Sequence, residues 1–170
     1  MGEQKIFLFG IDRAGKTALS ESLKMNNSFL ETRPTLSFNI GNWIVDDLTF
    51  QIWDAPGQLP FRHLWKMGMD RAKLLVFCLD TADNKRFNEA YIEFRKVIND
   101  SATHDLPLIF CLNKMDLPEA ISYKNEARAL FKLPTITDRK VVVLETSVFD
   151  KESLKKIKET ITELIMATRW

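Results

Sequence analysis

Short apolar runs alternate along the chain with longer segments in which apolar residues recur three or four positions apart. Four runs are almost wholly apolar, at 5–9, 73–79, 107–112 and 141–144. Runs of this length are typical of strands that are covered on both faces, as in a parallel sheet. The longer segments, at 16–25, 85–99, 121–131 and 152–166, have the periodicity of amphipathic helices. The pattern therefore predicts an α/β fold.

One stretch interrupts this alternation. Residues 38–45 and 48–53 both have the composition of strands, and Asp46 and Asp47 lie between them as a turn. A hairpin inserted into a series of strand–helix units gives a mixed sheet with one antiparallel edge. Open sheets of this kind bind ligands beyond the carboxyl ends of their strands. The residues that follow each predicted strand are therefore the candidates for a site.

Composition narrows the class of protein. The 170 residues contain no repeat, low-complexity tract or linker, which predicts a single domain over residues 1–170. A net charge of +1 gives no support for a nucleic-acid-binding protein or a general membrane-surface binder, because both usually carry an unbalanced charge. Cys78 and Cys111 lie inside apolar runs and are expected to be buried free thiols. No run is long enough to span a bilayer and no signal peptide is visible, so a cytoplasmic protein is expected.

The loop after the first predicted strand has a sequence typical of phosphate binding. Residues 10–17, GIDRAGKT, match G-x-x-x-x-G-K-[ST] at every position. The glycines let the backbone curl so that N–H groups point at phosphate oxygens, and the following helix adds the positive end of its dipole. Lys16 supplies a charge for the outer phosphates, and the Thr17 hydroxyl can bind Mg²⁺. An accidental glycine-rich turn is the alternative, which the position between a strand and a helix disfavours.

A second candidate sequence, Asp-Ala-Pro-Gly-Gln, begins at Asp54, after the third predicted strand. A carboxylate there can hold Mg²⁺ through water, and Gly57 can bring a main-chain N–H to a terminal phosphate. Gln58 can orient a water molecule for in-line attack. Alone, so short a sequence is also compatible with an ordinary turn.

The third candidate sequence, Asn113-Lys114-Met115-Asp116, follows the predicted strand at 107–112. A carboxylate only accepts hydrogen bonds, and guanine presents two donors on one edge whereas adenine does not. Asp116 therefore favours guanine, Asn113 can contact the other edge of the purine, and the Lys114 stem can cover the ring. An isolated Asn-Lys-x-Asp is also an ordinary loop. Its position after two phosphate-binding sequences favours a nucleotide site.

These three sequences, in this order and spacing, resemble the small GTPases of the Ras superfamily and in particular the Arf and Arf-like branch. Further residues carry the resemblance: Asp12, Pro34-Thr35, Phe38-Asn39, Trp53, Leu64-Trp65 and Leu117-Pro118. The resemblance implies a six-stranded mixed sheet flanked by about five helices, and slow hydrolysis of GTP to GDP with Mg²⁺. It further implies two segments, switch I around Thr35 and switch II around Gln58, that rearrange to control partner binding.

The resemblance also assigns residues to the site. Lys16, Thr35, Gly57 and Gln58 are implied in hydrolysis, and Thr17, Thr35 and Asp54 in metal binding. Nucleotide contacts are implied for Asp12, Arg13, Ala14, Gly15, Lys16, Thr17, Ala18, Thr35, Gly57, Asn113, Lys114, Asp116 and the loop Thr146, Ser147 and Val148. The side chains of that last loop depart from the usual family sequence.

Partners are expected from the same resemblance. An exchange factor, a GTPase-activating protein and effectors are expected to bind a surface that includes Phe38, Trp53, Phe61, Leu64 and Trp65. The protein is expected to be a monomer without nucleic-acid partners. Lysines in the last predicted helix are interspersed with glutamates, which favours a solvated face, and peripheral membrane contact is left open.

Four features depart from the Arf pattern. Only four residues precede Lys5, where Arf proteins have a membrane-binding helix; that helix is either naturally absent or was removed from this sequence, and in both cases the membrane mechanism is not carried over. Pro56 replaces a glycine, which predicts a stiffer switch II because proline fixes φ. Ser37 and Gly68 replace a glycine and a tyrosine, so one member of the aromatic surface is expected to be missing. Arg13 replaces a small residue, and either stabilises transition-state charge or points to solvent.

Two other functions are compatible with the sequence. A GTP-binding interaction module with little hydrolysis is favoured by Pro56 and disfavoured by the retained Gln58. An ATP-using enzyme such as a small kinase would share the phosphate loop, but Asp116 argues against adenine.

Overall fold

A six-stranded mixed sheet forms the centre of the protein in the computed structural model, which describes residues 2–24, 37–45 and 47–168. The strands are β1 Gln4–Phe9, β2 Asn39–Val45, β3 Leu48–Asp54, β4 Leu74–Asp80, β5 Leu108–Asn113 and β6 Val141–Glu145. Their order is β2-β3-β1-β4-β5-β6. β2 pairs with β3 in antiparallel register and the other neighbours are parallel, which confirms the predicted mixed sheet with one antiparallel edge.

Five α-helices flank the sheet in the described part of the chain, as the resemblance implied. They are α1 Lys16–Lys24, α2 Trp65–Met69, α3 Phe87–Ile98, α4 Pro118–Phe131 and α5 Lys151–Ala167. α4 begins three residues earlier than predicted, because Pro118 is tolerated in the first turn of a helix, where its missing N–H has no partner to lose. No helix in the described ranges is both long and apolar enough to cross a membrane.

Two apolar layers hold the helices against the sheet. Every residue of β5 is buried, as expected for a strand covered on both faces. On one face, a cluster of phenylalanines packs beneath α3 and α4: Phe9, Phe77, Phe94, Phe110 and Phe131. On the other face, Leu19 of α1 and Ile157 and Ile161 of α5 pack on the strands.

The periodicity did not predict the segment between β3 and β4. A 3₁₀ turn over Leu59–Leu64 leads directly into α2, which has only five residues. One and a half turns are too short to show a helical repeat. Trp65 fixes the position of this segment, because its indole packs edge-on against Phe7 and Phe9. The segment from Ala55 to Met69 therefore lies beside the end of β1.

Candidate nucleotide-binding site

Hydrogen bonds join the loops that follow β1, β3, β5 and β6 into one site. Asn113 Nδ2 donates to the Ala14 carbonyl at 2.9 Å, which ties the loop after β5 to the loop after β1. The Thr146 hydroxyl donates to Asn113 Oδ1 at 3.0 Å, which adds the loop after β6. The Asp12 N–H donates to the Gly57 carbonyl at 3.0 Å, which adds the loop after β3. All four loops leave the same edge of the sheet because their strands run parallel.

In the loop over residues 10–15, the backbone at Gly15 closely approaches the side chain of Asn113. Gly15 has a φ of +92°, and a Cβ atom there would lie 2.6 Å from Asn113 Nδ2. Only glycine fits this position without strain. The Gly15 carbonyl then accepts the Leu19 N–H at 2.9 Å, which places it in the first turn of α1. The phosphate loop and the start of α1 are thus one continuous unit.

Lys16 is buried at the centre of this loop. Its Nζ donates to the Ile11 carbonyl at 3.0 Å. Burial lowers the pKa of Lys16, and the nearby carboxylate of Asp54 opposes that shift. A buried ammonium with a single acceptor among the residues that the structure describes has further hydrogens to donate, which suits it to phosphate oxygens.

Thr17 and Asp54 form the pair expected to bind a metal ion. The Thr17 hydroxyl donates to Asp54 Oδ2 at 2.7 Å, and Asp54 is fully buried at the end of β3. Asp54 Oδ1 has no hydrogen-bond partner within the described ranges. Burial raises the pKa of Asp54, whereas the charge of Lys16 and the Thr17 hydroxyl lower it. A buried, unsatisfied carboxylate oxygen next to a hydroxyl is a donor set that fits Mg²⁺.

Gly57 lies directly on the phosphate loop. Its carbonyl accepts hydrogen bonds from the Asp12 N–H and, at 2.7 Å, from Arg62 Nε. A Cβ atom at Gly57 would lie 2.6 Å from both the Asp12 nitrogen and Lys16 Nζ. The preceding residue is also fixed, because the Pro56 carbonyl accepts the Trp65 indole N–H at 2.7 Å. Gln58 follows directly in the chain, with a half-exposed side chain.

The loops after β5 and β6 border a cavity of about 430 Å³, next to Asp116 and Ser147. The Ser147 hydroxyl donates to Asp116 Oδ1 at 2.8 Å, so the carboxylate expected to read guanine has a fixed orientation. Lys114 Nζ donates to Asp80 Oδ2 at 2.8 Å and to the Arg13 carbonyl at 2.7 Å. The lysine stem therefore runs between the phosphate loop and the base side of the site.

Three charged residues that sequence reasoning missed surround Asp12. Arg86 and Arg62 both donate to Asp12 Oδ1, and Glu89 accepts from both arginines. Arg86 and Glu89 are three positions apart, a spacing that is common for surface ion pairs on helices. Nothing in the local sequence distinguished this pair from an ordinary solvated one, since its partner Asp12 lies 74 residues away from Arg86.

Most of the predicted site residues meet at this edge of the sheet. The structure brings together Asp12, Ala14, Gly15, Lys16, Thr17, Asp54, Gly57, Asn113, Lys114, Asp116, Thr146 and Ser147. Thr35 lies outside the described residues. Arg13 has an exposed side chain that makes no hydrogen bond or ion pair with other described residues, and its backbone adopts a left-handed φ of 65°. The nucleotide contacts expected for Ala18 and Val148 stay predictions.

The prediction that Trp65 lies on the partner-binding surface is wrong for this conformation. Trp65 is 4% exposed, because its ring completes the apolar layer beside Phe7 and Phe9. Phe38 and Trp53 are half-buried and pack edge-on with ring centroids 5.3 Å apart. Phe61 and Leu64 are also half-buried.

The glycine at position 68 has a structural reason. A Cβ atom there would lie 2.5 Å from the Phe7 ring and 2.8 Å from the Phe38 ring. Aromatic rings from β1 and from the residue before β2 therefore occupy the space beside Gly68. Gly68 thus replaces the tyrosine of the Arf pattern at a position where the Phe7 and Phe38 rings pack closely against the backbone.

The chain resembles known proteins along almost its whole length. The model of the ADP-ribosylation factor family matches residues 1–165. ADP-ribosylation factor-like protein 3 of Chlamydomonas reinhardtii is 33% identical over 138 residues, which are 81% of this chain and 77% of that protein. The solved structure of the Arl6 (BBS3) small GTPase of Trypanosoma brucei, with bound nucleotide analogue GppNp, matches with a TM-score of 0.80 at 21% identity. That match covers 96% of this chain and 99% of the other, and shows a shared fold.

Proposed function

Because the chain belongs to the ADP-ribosylation factor family of small GTPases, we propose that it is a magnesium-dependent switch that cycles between a GDP and a GTP state. Family membership establishes a GTPase that binds guanine nucleotides. The dependence on magnesium and the change of conformation are proposals beyond family membership, and the geometry of the site supports both.

Thr17 and Asp54 are the metal-binding residues of this proposal. The support is the buried Asp54 Oδ1 atom, which lacks a partner within the described ranges, beside the hydroxyl of Thr17. Bound Mg²⁺ supplies positive charge that neutralises phosphate oxygens. Thr35 is a further ligand by family resemblance alone.

The base and the phosphates are held by separate groups. Asp116, oriented by Ser147, accepts hydrogen bonds from the two donors of guanine, which excludes adenine. Lys16 and the N–H groups of residues 13–18 hold the phosphates. Asn113 connects the two halves, because its amide bonds the Ala14 carbonyl while its Oδ1 accepts from Thr146.

Hydrolysis requires a positioned water molecule rather than a protein nucleophile. Gln58 orients the water in line with the terminal phosphorus. The water oxygen bonds to that phosphorus as the bond to the oxygen bridging the β-phosphate breaks, which releases GDP and inorganic phosphate. Lys16 and the loop N–H groups stabilise the charge that develops on the phosphate oxygens.

The contact between Gly57 and the phosphate loop is the observation that carries the switch. Gly57 lies against Lys16 Nζ, and its carbonyl accepts a hydrogen bond from the Asp12 N–H. A terminal phosphate that bonds Lys16 competes with Gly57 for this space. Binding of GTP therefore displaces Gly57 and, through Pro56 and Trp65, the start of α2. Release of the phosphate lets Gly57 return.

The segment from Ala55 to Met69, which moves in this proposal, carries exposed apolar side chains that partners can bind. Leu59 and Met67 are 68% and 59% exposed, at either end of this segment. Together with the half-buried Phe38, Trp53 and Phe61, they form the surface that we propose for regulators and effectors. A change in the position of Gly57 alters this surface without any direct contact between partner and nucleotide.

A GTP-binding module with little hydrolysis is the second candidate function. Pro56 favours it, because proline has no N–H to donate and its carbonyl is bonded to the buried Trp65. A segment held in this way restricts the positions that Gln58 can reach.

Single-turnover hydrolysis separates the two functions. The protein is loaded with GTP, and the GDP formed is followed with time for the parent and for Gln58→Leu. A switch that hydrolyses GTP predicts a rate at least about tenfold lower in Gln58→Leu. Gln4→Leu, on β1 and outside the site, is the matched control and is expected to hydrolyse at the parental rate. Equal rates in the parent and Gln58→Leu would support the module instead.

A further inference from the structure

We propose that Arg86 is the fixed counter-charge that lets the phosphate loop accept a terminal phosphate despite the carboxylate of Asp12, so that it determines the preference for GTP relative to GDP. This inference rests on the proposed function. It assigns a positioning role to a residue outside the three nucleotide-binding sequences.

Asp12 poses an electrostatic problem for a phosphate loop. Its carboxylate lies in the loop that receives the phosphates, and its charge partly opposes the lowering of the Lys16 pKa that burial causes. A carboxylate near a phosphate is a like-charge contact, which disfavours binding. GTP carries more negative charge than GDP, and the difference lies at the terminal phosphate. An uncompensated Asp12 would therefore penalise GTP more than GDP.

Arg86 neutralises this carboxylate from a fixed position. Its Nη2 donates to Asp12 Oδ1 at 2.8 Å, and its Nη1 donates to the Asp12 main-chain carbonyl at 2.9 Å. The guanidinium thus fixes both the charge and the backbone of Asp12. The same guanidinium also bonds Glu89 on α3, which restricts its own orientation. The pKa of the Asp12 carboxyl is held below its usual value, first by the hydrogen bond from Arg86.

Arg62 also contacts Asp12, but from the segment that moves. Its Nη2 lies 3.4 Å from Asp12 Oδ1, a longer contact than that of Arg86, while its Nε holds the Gly57 carbonyl. Displacement of Gly57 by a terminal phosphate breaks the hydrogen bond from Arg62 Nε to the Gly57 carbonyl. Arg86 is attached at the start of α3, so its contact with Asp12 persists in both states. Arg62 therefore stabilises the state without a terminal phosphate, whereas Arg86 neutralises Asp12 both with and without that phosphate.

The test compares the dissociation constants of GDP and of GppNp, a GTP analogue that is not hydrolysed, in the same variants. In Arg86→Gln, the affinity for GppNp is expected to fall about tenfold more than the affinity for GDP, because Asp12 is left without its counter-charge. Asp12→Asn alone is expected to shift the ratio in the opposite direction. The double variant Arg86→Gln/Asp12→Asn is expected to return the ratio to within about twofold of the parent.

Two further variants separate charge from other effects. Arg86→Lys keeps the positive charge and is expected to retain most of the parental ratio. Lys85→Gln removes the same charge from the neighbouring exposed residue, which is not among the ion-pair partners of Asp12, and is expected to leave the ratio unchanged. A general loss of folding lowers both affinities together, so the ratio is insensitive to it.

The outcomes that overturn the inference are distinct from failure of the proposed function. An unchanged ratio in Arg86→Gln, or a defect that persists in the double variant, would refute the role of Arg86 while leaving nucleotide binding intact. A parent protein that binds neither GDP nor GppNp would refute the proposed function, and the inference with it.

Discussion

The Ser147 hydroxyl donates a hydrogen bond of 2.8 Å to Asp116 Oδ1, so the residue that we propose to select the base is itself positioned by the loop after the last strand. The same loop supplies Thr146, whose hydroxyl bonds Asn113. Two adjacent residues thus orient the two polar side chains of the base site. We therefore expect the loop after β6 to contribute to nucleotide recognition through its side chains as well as its backbone.

Ser147→Ala is expected to weaken GDP binding about tenfold, because Asp116 loses a hydrogen bond to a charged group. Calorimetric titration with GDP measures the effect. Ser122→Ala is the control, since within the described ranges the Ser122 hydroxyl bonds only the Pro118 carbonyl of its own helix, on the exposed side of α4. Equal affinities in the parent and Ser147→Ala would show that the hydroxyl does not position Asp116.

Gly15→Ala is expected to abolish tight nucleotide binding and to destabilise the fold by about 1–3 kcal/mol. The added Cβ atom would lie 2.6 Å from Asn113 Nδ2, at a backbone φ of +92° that alanine rarely adopts. Thermal unfolding and GDP titration measure the two effects. Gly2→Ala is the matched control, because a Cβ atom at Gly2 meets nothing within 4 Å. Parental GDP affinity in Gly15→Ala would contradict the described geometry of the loop.

Gly68→Ala is expected to lower the free energy of unfolding by about 1–3 kcal/mol, because the Cβ atom would collide with the Phe7 and Phe38 rings. This sign is opposite to the stabilisation that alanine usually brings when it replaces glycine within a helix. Denaturant titration measures the change. Met67→Ala, at the exposed neighbouring position of α2, is expected to have little effect. A more stable Gly68→Ala would show that the two rings do not fill this space.

Both cysteines are expected to resist thiol reagents at pH 8 in the folded protein and to react after unfolding. Burial raises the pKa of Cys78 from 9.0 to about 12, and it also raises the pKa of Cys111. Between pH 9.0 and about 12 the unfolded chain loses the Cys78 proton while the folded protein keeps it. The folded state then binds more protons, so stability falls as the pH rises through this window.

Labelling with a chromogenic disulfide reagent at pH 8 measures the exposure of the thiols, with denatured protein as the positive control. Denaturant titrations between pH 8 and 11 measure the alkaline loss of stability. Rapid labelling of folded protein would contradict the burial of the two thiols.

The sequence predicted those parts of the site that depend on local patterns. The phosphate loop could be recognised because its glycines, Lys16 and Thr17 are adjacent in the chain. Asp54 and Asp116 could be placed because each comes at or after the end of a predicted strand, and parallel strands have their carboxyl ends at one edge of the sheet. The predicted hairpin over residues 38–53, inserted into the series of strand–helix units, indicated the mixed sheet.

The sequence did not reveal relationships that only tertiary packing creates. Arg86 contacts Asp12 across 74 residues, so its role required the position of α3 against the phosphate loop. Burial of Trp65 depends on the phenylalanines of β1, and α2 is too short to produce a helical repeat. The side chain of Arg13 makes no polar contact with other described residues, and the structure gives it no further role.

The fluorescence of Trp65 tests the proposed switch most directly. The Trp65 indole bonds the Pro56 carbonyl, one residue from Gly57, so displacement of Gly57 by a terminal phosphate changes its surroundings. Replacement of GDP by GppNp is expected to change the tryptophan emission of the parent and of Trp43→Phe, and to change it far less in Trp65→Phe. With GTP, the signal is expected to return to the GDP level as hydrolysis proceeds. An emission spectrum that stays constant in the parent, with GppNp shown to be bound stoichiometrically, would contradict a switch that operates through Gly57.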